Sequence, residues 1–401
     1  MSSDSPRVNP AWPALGWEER PWVPHVSRDL VSRAAAARHA GAYRAAVVPE
    51  IAGLQPQLPG QVLALAEDAS NAIARFEAEV GPELAPFAAV LLRSESASSS
   101  MIENLTSGAK SIALAELGSD EQRNATAIVG NVAAMRAALD LADRIDEDAI
   151  LAIHRALLER TDPSIAGKWR DEQAWIGGST YGPHSADYIA PHHDRIPAAI
   201  ADLVRFAQRN DIPVLVHAAV AHAQFETIHP FPDGNGRTGR ALIHSMLRAK
   251  GLTRRVTVPV SAGLLSDTRR YFDTLTLYRQ GEIAPVVEAM ANAALRAIGN
   301  GRQLVDELRA IRQSWDEKIS ARRDSTAWRL ADLLMRRPVV DAALVVEELG
   351  VPAPNAVRPI NTLVDSGVLK EFTGFKRNRM WQSREVIAAL DEFAARAGRR
   401  G

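Results

Sequence analysis

Twelve consecutive residues, His229 to Arg240, combine several side chains that could act on a phosphate group. They read His-Pro-Phe-Pro-Asp-Gly-Asn-Gly-Arg-Thr-Gly-Arg. A Gly-Asn-Gly turn that opens onto a helix leaves several backbone N–H groups without partners, and these groups and the helix dipole together attract anions. Arg237 and Arg240 lie three residues apart, so both can hold further phosphate oxygens from one helix face. The loop therefore predicts a polyphosphate site.

Two other side chains give the same loop a catalytic potential. Asp233 precedes the turn and could hold Mg²⁺, because Mg²⁺ favours one or two carboxylates plus phosphate oxygens. His229 begins the loop and is a titratable base near neutral pH. A zinc site formed by His222, Glu226 and His229 is the rival interpretation, but their spacing matches no familiar zinc motif.

Two helices must carry this loop. Apolar residues at helical spacing predict a helix from Pro213 to near Ile228, where Pro230 and Pro232 prevent its continuation. Helical spacing resumes at Arg240. The sequence thus predicts a helix, a tight glycine-rich loop and a second helix.

The residues from His229 to Arg240 resemble the signature of the Fic family, His-x-Phe-x-Asp/Glu-Gly-Asn-Gly-Arg-x-x-Arg, at every defined position. The resemblance implies a protein adenylyltransferase, which transfers AMP from its co-substrate ATP to a Ser, Thr or Tyr hydroxyl of a target protein or of itself. The roles that it implies by position are a base at His229, an Mg²⁺ ligand at Asp233, an α-phosphate cradle at Gly234, Asn235 and Gly236, and β- and γ-phosphate contacts at Arg237 and Arg240. Doc-type kinases of the family carry Lys where Gly236 stands, so Gly236 favours nucleotidyl transfer.

The segment Ile176–Pro191 resembles a second element of the family, its flap. Two short extended runs around a Gly/Pro-rich turn predict a β-hairpin here. The resemblance implies that the hairpin docks the target as an added strand, through Ile176, Gly177 and Ile189. A purely structural hairpin is the alternative, and the polar turn leaves the class of target open.

The segment Ser99–Asn104 matches the inhibitory pattern of the family, Ser/Thr-x-x-x-Glu-Gly/Asn. The resemblance implies that Glu103 pairs with Arg240 and so prevents the γ-phosphate of ATP from binding correctly. An ordinary exposed glutamate on a helix is the alternative. In some family members the same glutamate helps to remove AMP, so de-AMPylation stays open.

The last part of the chain reads as three helices followed by an extended turn and a return strand, which resembles a winged helix. Residues 324–401 hold 12 basic and 10 acidic residues, which is too even a balance for a dedicated DNA-binding domain. Lys376, Arg377 and Arg379 cluster at the wing and could contact DNA or a protein partner. The alternative function for the whole chain is therefore a winged-helix transcriptional regulator or interaction protein with a Fic body.

Composition limits the remaining function classes. The chain has 401 residues, a formal net charge of −1 and no cysteine. The charge excludes a chain-wide basic field for nucleic acid or anionic membrane. The missing cysteines exclude a thiolate nucleophile, disulfides and Cys-ligated metal sites. With no recognisable secretion signal or membrane-spanning run, we expect a cytoplasmic protein without membrane contact, and a homodimer is left open.

These patterns predict a mainly α fold with three parts. They are an N-terminal helical domain with the inhibitory motif (1–110), a Fic helical core with the β-hairpin flap (111–310) and a winged-helix domain (324–395). Prolines limit the first 60 residues to one helix, between about Asp29 and Ala46. The charged stretch Arg312–Asp324 is expected to join the core to the last domain. Tyr271 and Tyr278 are candidate contacts for the adenine base.

Overall fold

The computed structural model describes residues 12–23, 32–80, 84–179, 181–374 and 378–398. Over these ranges the chain is mainly helical, which confirms the predicted fold class. The helices are α1 (Arg33–Arg38), α2 (Gly60–Val80), α3 (Leu84–Ile102), α4 (Ala109–Glu116), α5 (Arg123–Asp140), α6 (Glu147–Leu158), α7 (Ile196–Ala207), α8 (Val214–Ile228), α9 (Asn235–Ala249), α10 (Val260–Leu265), α11 (Thr268–Arg279), α12 (Ala284–Lys318), α13 (Thr326–Arg336), α14 (Ala342–Leu349), α15 (Val357–Asp365) and α16 (Arg384–Gly398).

The strands are short. They are β1 (Gly16–Pro21), β2 (Ala42–Val47), β3 (Trp175–Ile176), β4 (Tyr188–Ile189), β5 (Val339–Asp341), β6 (Lys370–Glu371) and β7 (Met380–Gln382). They form two antiparallel pairs, β1–β2 and β3–β4, and one three-stranded sheet in the order β5-β7-β6. The strands β3 and β4 confirm the predicted hairpin, with Trp175 opposite Ile189 and Ile176 opposite Tyr188.

Helix α8 lies at the centre of the fold. Every residue from Leu215 to Ile228 is buried, including the polar side chains of His217, His222 and Glu226. It packs against α2, α7, α9, α11 and α12. Because α8 ends where the glycine-rich loop begins and α9 follows that loop, the loop is anchored at both ends in the core.

Helix α3 brings the predicted inhibitory segment to this centre. It packs against α5, α9, α10, α13 and α16. A buried polar cluster fixes it there, because Glu95 accepts hydrogen bonds from the backbone N–H and hydroxyl of Ser261 at 2.8 and 2.5 Å and pairs with His244 at 2.8 Å. The C-terminal end of α3 is thereby held in register with α9.

The N-terminal part differs from the expected single helix. Helix α1 ends at Arg38, and the segment Ala42–Val47 is a strand that pairs with β1. Gly41, at φ 93°, separates the two elements. Burial alternates from Ala42 to Ala45, with Tyr43 and Ala45 buried and Arg44 exposed, and Ala46 is buried as well.

The stretch expected to connect the core to the C-terminal part begins as a helix. The residues Arg312–Lys318 belong to α12, a helix of 35 residues. The last helix, α16, packs back against α3, α4, α10 and α12, and the sequence did not predict it. Lys376 and Arg377 of the predicted wing lie outside the described residues. No helix of the described part combines the length and the apolar character that a membrane span requires.

Candidate active site

His229 closes the central helix in a left-handed conformation. Its φ and ψ are 49° and 59°, and its N–H donates to the carbonyl of Phe225 at 2.9 Å. Its own carbonyl accepts a hydrogen bond from Nε of Arg170 at 2.8 Å. A non-glycine residue with positive φ is uncommon and is stabilised by its surroundings. The backbone here turns sharply so that the imidazole faces out of the helix bundle.

Arg170 ties this turn to the flap. Its guanidinium also donates to the carbonyls of Glu172 at 2.8 Å and Pro191 at 2.6 Å, and the residue is only 4% exposed. The three accepting carbonyls lie at the end of α8 and on both sides of the hairpin. Sequence reasoning missed Arg170, because nothing in its local pattern marks a buried arginine.

Asn235 closes the glycine-rich loop from inside. Its Oδ1 accepts from the N–H of Phe231 at 2.8 Å, and its Nδ2 donates to the carbonyl of Phe231 at 2.8 Å. The side chain was expected to hold the α-phosphate. Instead, both of its polar side-chain atoms bind the main chain of the loop. The backbone N–H groups around Asn235 are therefore the groups available to bind an anion.

Phe231 and His154 support the loop from below. Their rings are stacked at 3.6 Å with an interplanar angle of 5°, and Trp169 stacks with Phe231 at 4.7 Å. His154 Nδ1 accepts from the N–H of Gly167 at 3.0 Å, so Nε2 carries the proton that it donates to the carbonyl of Asp233, also at 3.0 Å. Burial lowers the pKa of His154 to about 4. This neutral histidine of α6 was not predicted as a site residue.

The environment of His229 keeps its imidazole neutral. Burial, together with the positive charges of Arg170 and Arg279, lowers the pKa of His229 to about 3. A neutral ring at pH 7 can accept a proton. Nδ1 is buried, which leaves Nε2 as the nitrogen that can meet a substrate.

The side chain of Asp233 extends into solvent beside the helix N-terminus. It is 67% exposed, and its Oδ2 lies 3.0 Å from Nη2 of Arg237, which is only 4% exposed. Within the described ranges, no group of three or more potential ligands could bind a metal by itself. One carboxylate beside an anion site nevertheless matches the donor set that Mg²⁺ uses with phosphates.

Arg240 is almost completely buried and is held by the end of α3. Its Nε donates to the hydroxyl of Ser99 at 2.9 Å, and its Nη2 donates to the Ser99 carbonyl and to Oε1 of Glu103, both at 2.8 Å. Burial disfavours the charged guanidinium, but the carboxylate of Glu103 more than compensates and raises the pKa of Arg240 above its usual range. The structure thus brings together Glu103 and Arg240, as the sequence analysis expected.

Glu103 also covers the first turn of α9. A Cβ atom on Gly236 would lie 2.0 Å from Oε1 of Glu103 and 2.8 Å from Nη1 of Arg240. A carboxylate oxygen therefore stands directly on the backbone that was predicted to bind phosphate. Asn104, at φ 61°, ends α3 just after Glu103, and the N–H of Leu105 donates to the carbonyl of Ser100 at 3.0 Å, which fixes this helix end.

The flap residues lie beside this loop. Ile176 is 39% exposed, and Ile189, which lies opposite Trp175 in the hairpin, is half-buried. Gly177 has φ 77°, and a Cβ there would lie 2.1 Å from Oδ2 of Asp187, so the turn requires glycine. The neighbouring Tyr188 donates to the carbonyl of Thr227 at 2.5 Å, which attaches the flap to α8.

Tyr271 and Tyr278 are not positioned as adenine contacts. They are 2% and 3% exposed. The hydroxyl of Tyr271 is paired with Nε2 of His222 at 2.7 Å, and that of Tyr278 donates to Gln224 at 2.8 Å. Both rings belong to the core around α8.

A cavity of about 410 Å³ opens between the loop and the flap. Its lining residues are Ile165, Arg170, Asp171, Glu172, Gln173, Ala174, Trp175, His229 and Pro232. The candidate base is therefore reached from this cavity, whereas neither Glu103 nor Arg240 lines it.

Residues 144–247 match the Fic/DOC family. This chain contains a Fic domain. The domain includes the whole loop, its two helices, the flap and His154. Glu103 lies outside the matched residues, on the N-terminal side. The predicted domain bounds at 110, 310 and 324 stay predictions.

Curated proteins resemble the chain over this region. The protein adenylyltransferase fic-1 of Caenorhabditis elegans is 33% identical over 150 residues, which are 37% of this chain and 27% of that protein. The protein adenylyltransferase Fic of Aedes aegypti is 30% identical over 150 residues, 37% of this chain and 28% of that protein. The matched region thus spans little more than a quarter of the length of these relatives.

A solved structure resembles more of the chain. A Fic family protein from Desulfovibrio desulfuricans G20 aligns with 82% of this chain and 98% of its own, with a TM-score of 0.51 and 21% identity. At this identity the resemblance concerns the fold. It extends the fold similarity well beyond the Fic domain.

Proposed function

We propose that this protein is a protein adenylyltransferase that transfers AMP from ATP to a hydroxyl side chain of a target protein or of itself. The observation that carries the proposal is the arrangement of a neutral His229 between a cavity and the N-terminus of α9, within a Fic domain. The relatives named as adenylyltransferases over the same residues support it. The alternative, a regulator with an inactive Fic body, would not require an intact base and anion site.

The reaction needs a deprotonated nucleophile and an accurately held α-phosphorus. The hydroxyl of the target loses its proton to Nε2 of His229, and its oxygen forms a bond to the α-phosphorus of ATP. The bond from that phosphorus to the bridging oxygen of the β-phosphate breaks, and pyrophosphate leaves. A positioned general base contributes roughly 10²–10⁴ in rate.

The backbone at the start of α9 would bind the phosphates. The N–H groups at Gly234 to Gly236 point along the positive end of the helix dipole, and Arg237 and Arg240 add two buried guanidinium groups. Asp233 would hold Mg²⁺ against these phosphates, and the ion would neutralise charge on them when bound. In this arrangement the chain itself mainly supplies position and charge, as phosphoryl-type transfer requires.

Autoinhibition by Glu103 is part of the proposal. Its carboxylate stands against Gly236 and engages Arg240, so a γ-phosphate would have to displace it. The same carboxylate lies close to the anion site, where it could also direct a water molecule toward a bound AMP group. Removal of AMP from a modified protein is therefore a second activity to be measured.

Intact-mass analysis tests the proposal. The wild type, Glu103→Gly and His229→Ala are incubated with Mg²⁺ and each nucleoside triphosphate, and their masses are recorded. We expect one or more AMP additions in Glu103→Gly, fewer in the wild type and none in His229→Ala. An added phosphate mass would instead show kinase chemistry.

A null result in all three proteins would favour the regulator. A gel-shift assay of the full chain with random-sequence duplex DNA would then examine the C-terminal unit. The full chain is used because α16 packs on α3 and α12, so this unit is not separate from the core.

A further inference from the structure

The cavity between loop and flap has one apolar side and one acidic rim. Ile165, Ala174 and Pro232 supply apolar surface, and His229 is part of the same lining. Asp171 and Glu172 lie on the rim and are exposed. Among the described residues, neither carboxylate has an ion-pair or hydrogen-bond partner.

The arginine that lines the cavity is not available to balance this rim. Arg170 also lines the cavity, but it is 4% exposed and its donors are directed at the carbonyls of His229, Glu172 and Pro191. The surface that a ligand would meet therefore carries two carboxylates. Such a rim repels the phosphates of a nucleotide and favours a cationic group.

We propose that this cavity binds a lysine or arginine side chain of the target, beside the hydroxyl that His229 activates. The inference rests on the proposed function. A long basic side chain has an apolar stem and a charged head, and these match the apolar side and the acidic rim. A basic residue near the acceptor hydroxyl would thus be selected by this enzyme.

The segment from Asp171 to Trp175, which carries the two acidic residues, is held in place by contacts within the protein. Gln173 accepts a hydrogen bond from the hydroxyl of Tyr43 at 2.8 Å and donates to the carbonyl of Ala190 at 2.7 Å. Trp175 packs edge-on against Trp22 at 5.5 Å. The strand pair β1–β2 thus supports the outer side of the flap. A preformed pocket loses less conformational entropy on binding and discriminates better between side chains.

Synthetic peptides with one acceptor Thr test this directly. The Glu103→Gly protein is incubated with three peptides that differ only at the positions two residues before and two residues after the Thr. Both positions are Arg in the first peptide, citrulline in the second and Glu in the third. Initial rates of AMP addition are measured by mass spectrometry. We expect the Arg peptide to react roughly fivefold faster than the citrulline peptide, the size of one exposed ion pair, and the Glu peptide to be slowest.

Variants of the rim identify the pocket as the cause. In Asp171→Asn/Glu172→Gln we expect the preference to disappear, and in Asp171→Lys/Glu172→Lys we expect it to reverse in favour of Glu. The control is Glu121→Lys/Asp143→Lys, which changes two exposed acids elsewhere and should keep the preference for Arg. For each variant, the rate with the citrulline peptide, which carries no charge at the varied positions, is the reference for the other two rates.

The outcomes separate the two proposals. If Glu103→Gly transfers no AMP to itself or to any peptide, the proposed function is wrong. The proposal of a basic-residue pocket is wrong if the protein labels itself but modifies no peptide, or modifies all three peptides at equal rates. It is also wrong if the preference for Arg persists when the rim charges are reversed.

Discussion

Oε1 of Glu103 lies 2.8 Å from Nη2 of Arg240, and the same atom would be 2.0 Å from a Cβ on Gly236. The two partners differ in burial, because the Arg240 side chain is 1% exposed and the Glu103 side chain 37%. Arg240 keeps two hydrogen bonds to Ser99 if the carboxylate moves away. When the glutamate leaves, the buried guanidinium keeps these two hydrogen bonds but loses its counter-charge, so a phosphate that enters the site would replace the carboxylate, which suits a reversible brake.

The charge of Glu103 should determine the strength of the brake. We expect Glu103→Gly to raise AMP transfer roughly ten- to a hundredfold, since about 1.4 kcal/mol corresponds to a factor of ten. Glu103→Gln keeps the size of the side chain and one acceptor but loses the charge, so its rate should lie between those of wild type and Glu103→Gly. Initial rates with a labelled ATP analogue measure both.

Glu121→Gly is the matched control, because Glu121 is an exposed glutamate away from the site. Its rate should equal that of wild type. Equal rates in Glu103→Gly and wild type would contradict the brake.

Gly236 and Glu103 should be energetically coupled. A methyl group on Gly236 would overlap the carboxylate, and such overpacking typically costs about 1–3 kcal/mol. We therefore expect Gly236→Ala to destabilise the wild type by that amount and to destabilise Glu103→Gly clearly less. Urea denaturation of the four proteins of the double-mutant cycle measures the coupling free energy.

The same substitution should abolish AMP transfer even in the Glu103→Gly background. The methyl group would occupy the place where the carboxylate oxygen now stands and where a phosphate oxygen should bind. If Gly236→Ala and Glu103→Gly have additive effects on the free energy of unfolding, the Glu103 side chain does not contact the N-terminus of α9.

Asn235 should be needed for the shape of the loop. Asn235→Ala leaves both the N–H and the carbonyl of Phe231 without their partners, and a buried unsatisfied group costs about 1–3 kcal/mol. We expect a lower midpoint in urea and little AMP transfer in the Glu103→Gly background. Asn235→Asp keeps the acceptor for the Phe231 N–H and should lose less stability than Asn235→Ala. An unchanged midpoint in both variants would count against this role.

Glu226 should make stability depend on pH. It is buried, and Oε1 has no hydrogen-bond partner in the described part of the chain. Burial raises the pKa of Glu226 to about 7 from an ordinary value of 4.5. Between these two pH values the folded state therefore binds more protons than the unfolded state. The contribution of the protonated Glu226 to the free energy of unfolding is complete below pH 4.5 and is lost as pH rises through 7.

Glu226→Gln removes the titration. The stability of the variant relative to wild type should increase from pH 5 to pH 8, by as much as about 3 kcal/mol. Urea denaturation of both proteins at four pH values measures this. Glu282→Gln, at an exposed position, should follow the wild type at every pH. A relative stability of Glu226→Gln that stays constant with pH would refute the assignment.

Some sequence expectations failed for identifiable physical reasons. The segment Ala42–Val47 has helix-forming residues, but it pairs with β1 and buries Tyr43, Ala45 and Ala46. The charges of Arg312–Lys318 suggested a linker, yet these residues extend α12 toward the C-terminal unit. Tyr271 has the ring that a base could stack on, but its hydroxyl is satisfied by His222 inside the core. Tertiary contacts outweighed local preference in each case.

The sequence by itself determined the chemistry of the loop, because a base, an anion site and two guanidinium groups are contiguous from His229 to Arg240 and shape each other locally. It also determined the helices on either side and the hairpin. The occupation of the anion site was decided by the tertiary structure. Glu103 is 137 residues away from Arg240, and its carboxylate reaches Gly236 only because α3 packs on α9 through buried contacts. Local pattern cannot specify such a contact, since it depends on the packing of two distant helices.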